Sequence, residues 1–269
     1  METDEMALRI EGFNGNEDGT MGKYIYCVIE GGGADIAFTG MEDKRLSTVS
    51  HGDLSAVVQN SPQGLGSKDG GVLRNLIIAH HTVVDAAAKK CGAVLPFCFG
   101  NIVTGGACNV PTERIELWLG RNYACLKGKL EKVKGKAEYG VQVLWDPRIA
   151  AVNLIDETPE LKRLDQAARR SSHGTAFLYR ERLKIALRRE TEALADGRFR
   201  AFCERIRNVV DEIKIEGIKK DKGDERMLMN LSCLARGDNA AELGKLLDDI
   251  EREGFTVLFT GPWPPYSFV

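Results

Sequence analysis

Two adjacent histidines, His80 and His81, are the residues of this 269-residue chain that come nearest to chemistry by type and position. Histidine titrates near neutral pH and can act as base, proton shuttle or metal ligand. Adjacent helical positions diverge by about 100°, however, so two neighbouring rings do not converge on one ligand. The run Leu73, Leu76, Ile77, His80, Val83, Val84 and Ala87 has helical spacing and puts His80 on the apolar side. We read His80 as a packing and hydrogen-bonding residue and leave His81 open. The seven cysteines, at 27, 91, 98, 108, 125, 203 and 233, are odd in number and contain no C-x-x-C pair. Cys91, Cys98 and Cys108 taken with His80 or His81 match no zinc spacing. Buried small hydrophobes in a reducing compartment is the simpler account of them.

Phosphate cradles fare no better. A P-loop ending at Gly22-Lys23 would need glycine where Glu17 stands and a hydroxyl where Tyr24 stands. Gly31-Gly32-Gly33 reads as a turn and Gly64-Leu65-Gly66 as a loop, neither as a dinucleotide fingerprint. Arg180, Arg182, Arg188 and Arg189 read as the solvated face of a helix, with a surface for acidic partners as the alternative. No catalytic residue, no cofactor and no metal site is expected.

A formal charge of −2 offers no electrostatic case for nucleic acid, and no apolar run approaches the ~20 residues of a membrane helix. The apolar and charged fractions, 43% and 28%, are those of a globular protein. Residues 1–21 are polar at the start, with Asp4, Glu5, Glu11, Glu17 and Asp18, and read as a flexible extension or the product of an upstream start, with Met21 as the other candidate initiator.

The elements that must position any site divide the rest into two α+β domains. Residues 22–136 hold a first strand over Lys23 to Ile29, further strands at Ile36 to Thr39, Leu46 to Ser50 and Leu54 to Val58, and a Gly/Ser-rich loop over Ser61 to Gly71. A helix follows over about 72–90, closed by Gly92, then a strand carrying Pro96 at an edge, and one helix from Thr112 to about Lys134. Residues 137–260 run strand (Glu138 to Trp145), long charged helix, strand (Val209 to Ile218), charged turn (Lys219 to Glu225), strand (Met227 to Leu234), a helix from Ala240 to Glu253 capped at Asp238-Asn239, and strand (Phe255 to Thr260). That helix's stripe of Leu178, Tyr179, Leu183, Ala186, Leu187 and Leu194 is expected to pack. The order β-α-β-β-α-β is ferredoxin-like.

The segment 261–269, GPWPPYSFV, is a Pro/aromatic tail. Its three prolines remove backbone donors and fix φ, so an extended, stiff conformation is expected. Stiffness lowers the ordering cost of docking, and Trp263, Tyr266 and Phe268 offer large apolar faces either to this chain or to a partner. With the strand before it, the candidate partner-binding residues are Phe255, Phe259, Trp263, Tyr266 and Phe268.

Several stretches in series resemble one family. Tyr24-Ile25-Tyr26, the His80-His81-Thr82-Val83-Val84 helix leading to Val94-Leu95-Pro96-Phe97-Cys98-Phe99-Gly100, the strand from Glu138 to Trp145, the segment from Gly174 to Leu183 and the ending FTGPWPPYSFV are similar to the gas vesicle GvpF/GvpL family. The resemblance implies a two-domain α+β protein with a modified ferredoxin-like second domain. It implies an accessory or minor structural protein of gas vesicles that associates with the shell protein GvpA and other accessory Gvp proteins, at the vesicle shell, with its gas-facing side one option, and in the cytoplasm. It carries over no catalytic residue. Cys98 stands where the family usually has arginine, which puts any role of that arginine in doubt here. Rival classes are a metabolite-sensing ferredoxin-like regulator and an enzyme built on His80 or His81.

Overall fold

The computed structural model describes residues 21–31, 39–61, 69–105, 110–218 and 225–269. The extension, most of the expected strand at Ile36 to Thr39, most of the Ser61 to Gly71 loop, Cys108 and most of the charged turn after Ile218 lie outside the described residues. The fold is mixed α+β, and the chain forms two compact units: one reaches to Glu138 and takes in Pro262–Val269, the other is Tyr139–Gly261.

The first unit is organised on β1 (Gly22–Glu30). It pairs antiparallel with β3 (Leu54–Ser61), which pairs with β2 (Leu46–His51); its other edge takes β4 (Val94–Pro96) and β5 (Ile102–Val103). Pro96 therefore sits on an edge strand, where its missing N–H interrupts no inner ladder. Tyr24 to Val28 are fully buried although strands alternate faces, so both faces of β1 are covered. A register shift between Ile25 and Cys27 marks a bulge at Tyr26. The bulge adds a residue to β1, and so Tyr24 and Tyr26 on one side of the shift and Cys27 and Ile29 on the other all join one core cluster with Leu76, Val83, Val84 and Ala87 of α1.

Helix α1 (Gly70–Cys91) supplies that cover. Asp69 caps it, its carboxylate accepting from Gly71 N (2.8 Å) and Val72 N (3.4 Å), and Gly92 ends it at φ 73°. The single helix expected from Thr112 to Lys134 is two, α2 (Pro111–Arg121) and α3 (Tyr123–Val133). The break is at Asn122, whose φ of −104° leaves the helical well while its side-chain amide donates to Trp118 O at 2.8 Å. Such local side-chain bonds offer the backbone an alternative to the helical ladder.

The sheet of the second unit has the order β7-β8-β6-β9, made of β6 (Ala137–Trp145), β7 (Glu212–Ile215), β8 (Arg226–Ala235) and β9 (Thr256–Trp263), with β7 antiparallel to β8; the first two residues of β6 and the last two of β9, Trp263 among them, are counted with the first unit. Between β6 and β7 stand three helices, α4 (Pro147–Glu157), α5 (Pro159–Arg170) and α6 (His173–Arg207), where one long helix is expected. The signals for the extra two are Asp146-Pro147 and Thr158-Pro159, each a capping-type residue before a proline at the first helical position; Asp146 accepts from Arg148 N at 2.8 Å. The expected stripe on α6 is only half-buried, and Leu178 is exposed; full burial is confined to Ala176 near its start and Phe202, Cys203 and Ile206 near its end. Strand β7 is shorter than the expected Val209 to Ile218 strand, because the turn closing α6 takes its first residues: Val209 N and Val210 N donate to Ile206 O at 3.0 and 3.2 Å. Helix α7 (Gly237–Arg252) begins earlier than expected, with Arg236 rather than Asp238 at its N-cap and no side-chain capping bond.

A Cβ added to Gly140 of β6 would meet Thr260 Oγ1 of β9 at 2.6 Å. Gly140→Ala should therefore cost on the order of 1–3 kcal/mol, the range for overpacking, and Gly140→Ala/Thr260→Ala should regain part of it; paired urea melts measure both.

Candidate functional site

The histidine pair resolves into two different environments. His80 is fully buried, with Nδ1 2.7 Å from Tyr24 Oη and Nε2 3.0 Å from Phe97 O. The Phe97 carbonyl can only accept, so Nε2 carries the proton and Nδ1 accepts from Tyr24. Tyr24 Oη in turn accepts from Gly100 N at 3.2 Å. Every ring atom that could do acid–base work is thus engaged in holding α1 against β1 and the segment after β4. Burial, and secondarily the neighbouring His81, lowers the His80 pKa from 6.5 to about 4. Beside it Tyr26 donates to Gln59 Oε1 (2.6 Å) and accepts from Met41 N (3.0 Å); burial pushes its pKa up to about 12. Ring contacts tie the cluster together: Tyr26 stacks on His80, and Tyr24 meets Tyr26 edge-on at 4.9 Å.

His81 faces the C-terminal segment of the same unit, where its Nδ1 lies 2.9 Å from Tyr266 Oη and the rings meet edge-on at 5.2 Å. Pro264 and Pro265 are buried, Tyr266–Phe268 form a short 3-10 turn, and Phe268 is 4% exposed beneath Lys132, whose ammonium lies 5.9 Å from the ring. Ser267 donates from N (2.8 Å) and Oγ (2.6 Å) to the carboxylate of Glu138, itself buried. The ending is therefore not extended throughout: it is a docked hook, because a buried carboxylate and two rings recover more than the prolines' preference for extension costs.

The five aromatics singled out from the sequence accordingly separate. Phe255 is half-buried and meets Phe202 of α6 edge-on at 4.9 Å, while Tyr266 and Phe268 are packed in the first unit. Phe259, 42% exposed and stacked on Tyr139 at 5.6 Å, and Trp263, 49% exposed, remain open on β9. Leu258 is exposed too, and as the neighbour of Phe259 in the strand it lies on the opposite face of β9. Strand β9 ends the sheet order, so its outer edge carries no strand partner among the described residues.

Six cysteines are described, all as free thiols, with Cys27, Cys203 and Cys233 buried and Cys98 and Cys125 exposed. Among the described residues there is no group of three metal-ligating side chains and no helix long and apolar enough to cross a membrane. Cys98, at the departure from the family pattern, has its carbonyl bonded by Asn101 Nδ2 at 2.6 Å. Because His80 binds a proton more readily unfolded than folded between pH 6.5 and 4, stability should fall as pH drops through that window, by roughly 3 kcal/mol from this group. Denaturant melts at pH 7 and pH 4.5 should show the loss, and His80→Gln should flatten it while lowering stability at pH 7.

The comparisons with known proteins agree in direction. The family model for "Gas vesicle synthesis protein GvpL/GvpF" matches residues 22–269. Gas vesicle protein L1 of Halobacterium salinarum is 30% identical, over 94% of this chain and 92% of its own. Gas vesicle protein L of Haloferax mediterranei is 27% identical, over 87% and 73%. Among solved structures, the gas vesicle protein GvpF of Anabaena superposes with a TM-score of 0.71 at 17% identity, covering 93% of this chain and 98% of that one. A match running from the first residue of β1 to the last residue of the hook is a match to the whole described fold, and the chain belongs to the gas vesicle synthesis protein GvpL/GvpF family.

Proposed function

We propose that this protein is a non-enzymatic accessory or minor structural component of gas vesicles that binds the shell protein GvpA and supports its assembly, in the cytoplasm and at the vesicle shell. Membership of the family carries a role in gas vesicle formation and dealings with other gas vesicle proteins. The single observation that supports the finer reading is the open edge of β9 with Leu258, Phe259 and Trp263 exposed along it. A shell subunit that has not yet joined a wall presents apolar surface and unpaired strand edges, and both aggregate unless covered. An edge strand can cover such a subunit by strand addition and release it when neighbouring subunits offer more contact. Pro262 lacks an N–H and limits how far that pairing extends.

The second unit supports a modified ferredoxin-like reading: counted from β6, the strand order is second, third, first, fourth, with α7 in the second crossover and a three-helix insertion in the first. The boundaries we assign to the domains are 22–136 and 137–260, with 261–269 as the tail. The non-enzymatic reading draws on His80, whose two ring nitrogens are both committed to internal bonds.

Leu258→Lys/Trp263→Ala changes two exposed side chains and should leave the unfolding free energy within about 1 kcal/mol. Co-expressed with GvpA, the folded double variant should capture roughly tenfold less shell protein than the parent, the size expected when an anchoring tryptophan is lost. Undiminished capture by a variant with a native melting curve removes β9 as the contact surface.

A further inference from the structure

Away from β9, the second unit has a trough of about 710 Å³ between α4 and α6. Its floor is apolar, from Ala151, Leu183 and Leu187, and its edges are basic: Arg148, Arg180, Lys184, Arg188 and Arg226 line it against a single acid, Glu192. Arg148 is held by Asp146 at 2.7 Å and Arg188 by Glu192 at 2.8 Å. Arg180 and Lys184, four residues apart on one helical face, have no ion-pair partner among the described residues. Phe177 is 59% exposed and lies three residues before Arg180, so the same face of α6 continues beyond the trough. At its other end, Thr191, Glu192 and Arg226 also line a second depression with Phe199, Ile215 and Met227 in its wall. The two depressions share these three residues, and the second also carries the acids Asp196 and Glu216, so the basic character belongs to the trough between α4 and α6. The concentration of positive charge is local, since the whole chain is formally −2.

We propose that this trough receives an amphipathic segment of a partner protein, apolar on the side that meets Leu183 and Leu187 and carrying carboxylates toward Arg180 and Lys184. Charge complementarity selects the acidic partner. The apolar floor selects a polypeptide over nucleic acid, because a phosphate backbone lying between the basic edges would be desolvated against hydrocarbon. Concavity selects a segment over a membrane, since the leucines line a trough and do not project from a convex face. A helix laid there packs as a third member beside α4 and α6, in the manner of helix-in-groove recognition. This binding surface is separate from β9, and the proposal does not rest on the vesicle reading.

The test uses the full chain and a fluorescein-labelled 18-residue peptide with leucines at i, i+3, i+4 and i+7 and glutamates on the flanking positions, read by anisotropy at low salt. The peptide should bind saturably. Affinity should fall at least about tenfold for Arg180→Glu/Lys184→Glu, for Ala151→Arg, which fills the floor, and for the peptide with glutamine in place of glutamate. Circular dichroism melts confirm that the variants are folded. The proposal is overturned if the peptide does not bind, if a scrambled peptide of the same composition binds equally, or if the charge-reversed protein binds unchanged. Tighter binding of duplex DNA or of phosphatidylserine vesicles than of the peptide, lost in the same variants, overturns it in favour of those ligands.

Discussion

The first unit depends on one constraint: β1 buries two tyrosines beside a histidine, and none of the three can be buried without a partner for each polar atom. An unsatisfied buried donor or acceptor costs about 1–3 kcal/mol, which a domain of marginal stability cannot absorb several times. The bonds that meet the demand run from Gly100 to Tyr24 to His80 to Phe97, and from Met41 to Tyr26 to Gln59. They connect β1 to α1, to β3 and to the turns after β4 and before β2, so the elements are placed as much by hydrogen-bond accounting as by apolar burial. The bulge at Tyr26 belongs to the same constraint, since it turns both tyrosines and the residues beyond them to α1.

The low His80 pKa is a consequence of this arrangement. A shifted pKa marks a functional site when the group also faces a cleft where a substrate can reach it. Here the ring is enclosed by Tyr24, Tyr26 and Phe99 and both nitrogens are occupied. The energy of the shift is spent on pH-dependent stability. His81, on the adjacent position, turns instead to Tyr266 and holds the C-terminal hook.

In the second unit the pattern is reversed. Its helices leave apolar and charged surface uncovered, on β9 and along α6, while salt links such as Arg205 and Arg198 to Glu253 join α6 to α7 near the buried end of the long helix. An edge strand with three large exposed apolar side chains is a hazard in a protein that works alone, and such hazards are ordinarily blunted. In the function proposed above, this edge covers similar surface on another chain.

Much of this organisation was legible in the residues themselves. Spacing placed α1 and His80's apolar side, Gly92 marked the helix end, and Pro96 called for an edge, because each of these rests on local backbone or periodicity rules that tertiary context rarely overturns. Resemblance along the chain named the family. Composition and periodicity did not divide α2 from α3, since the Asn122 bond is a single side-chain choice inside an otherwise helical pattern. They did not separate the aromatics of the ending either: Trp263 and Phe268 have equal claim to a partner until Glu138, at the far side of the sequence, takes Ser267 and brings Phe268 inward. Local rules determine which segments are helix, strand or turn; only long-range contacts, absent from any window of sequence, decide which apolar faces are covered and which stay exposed.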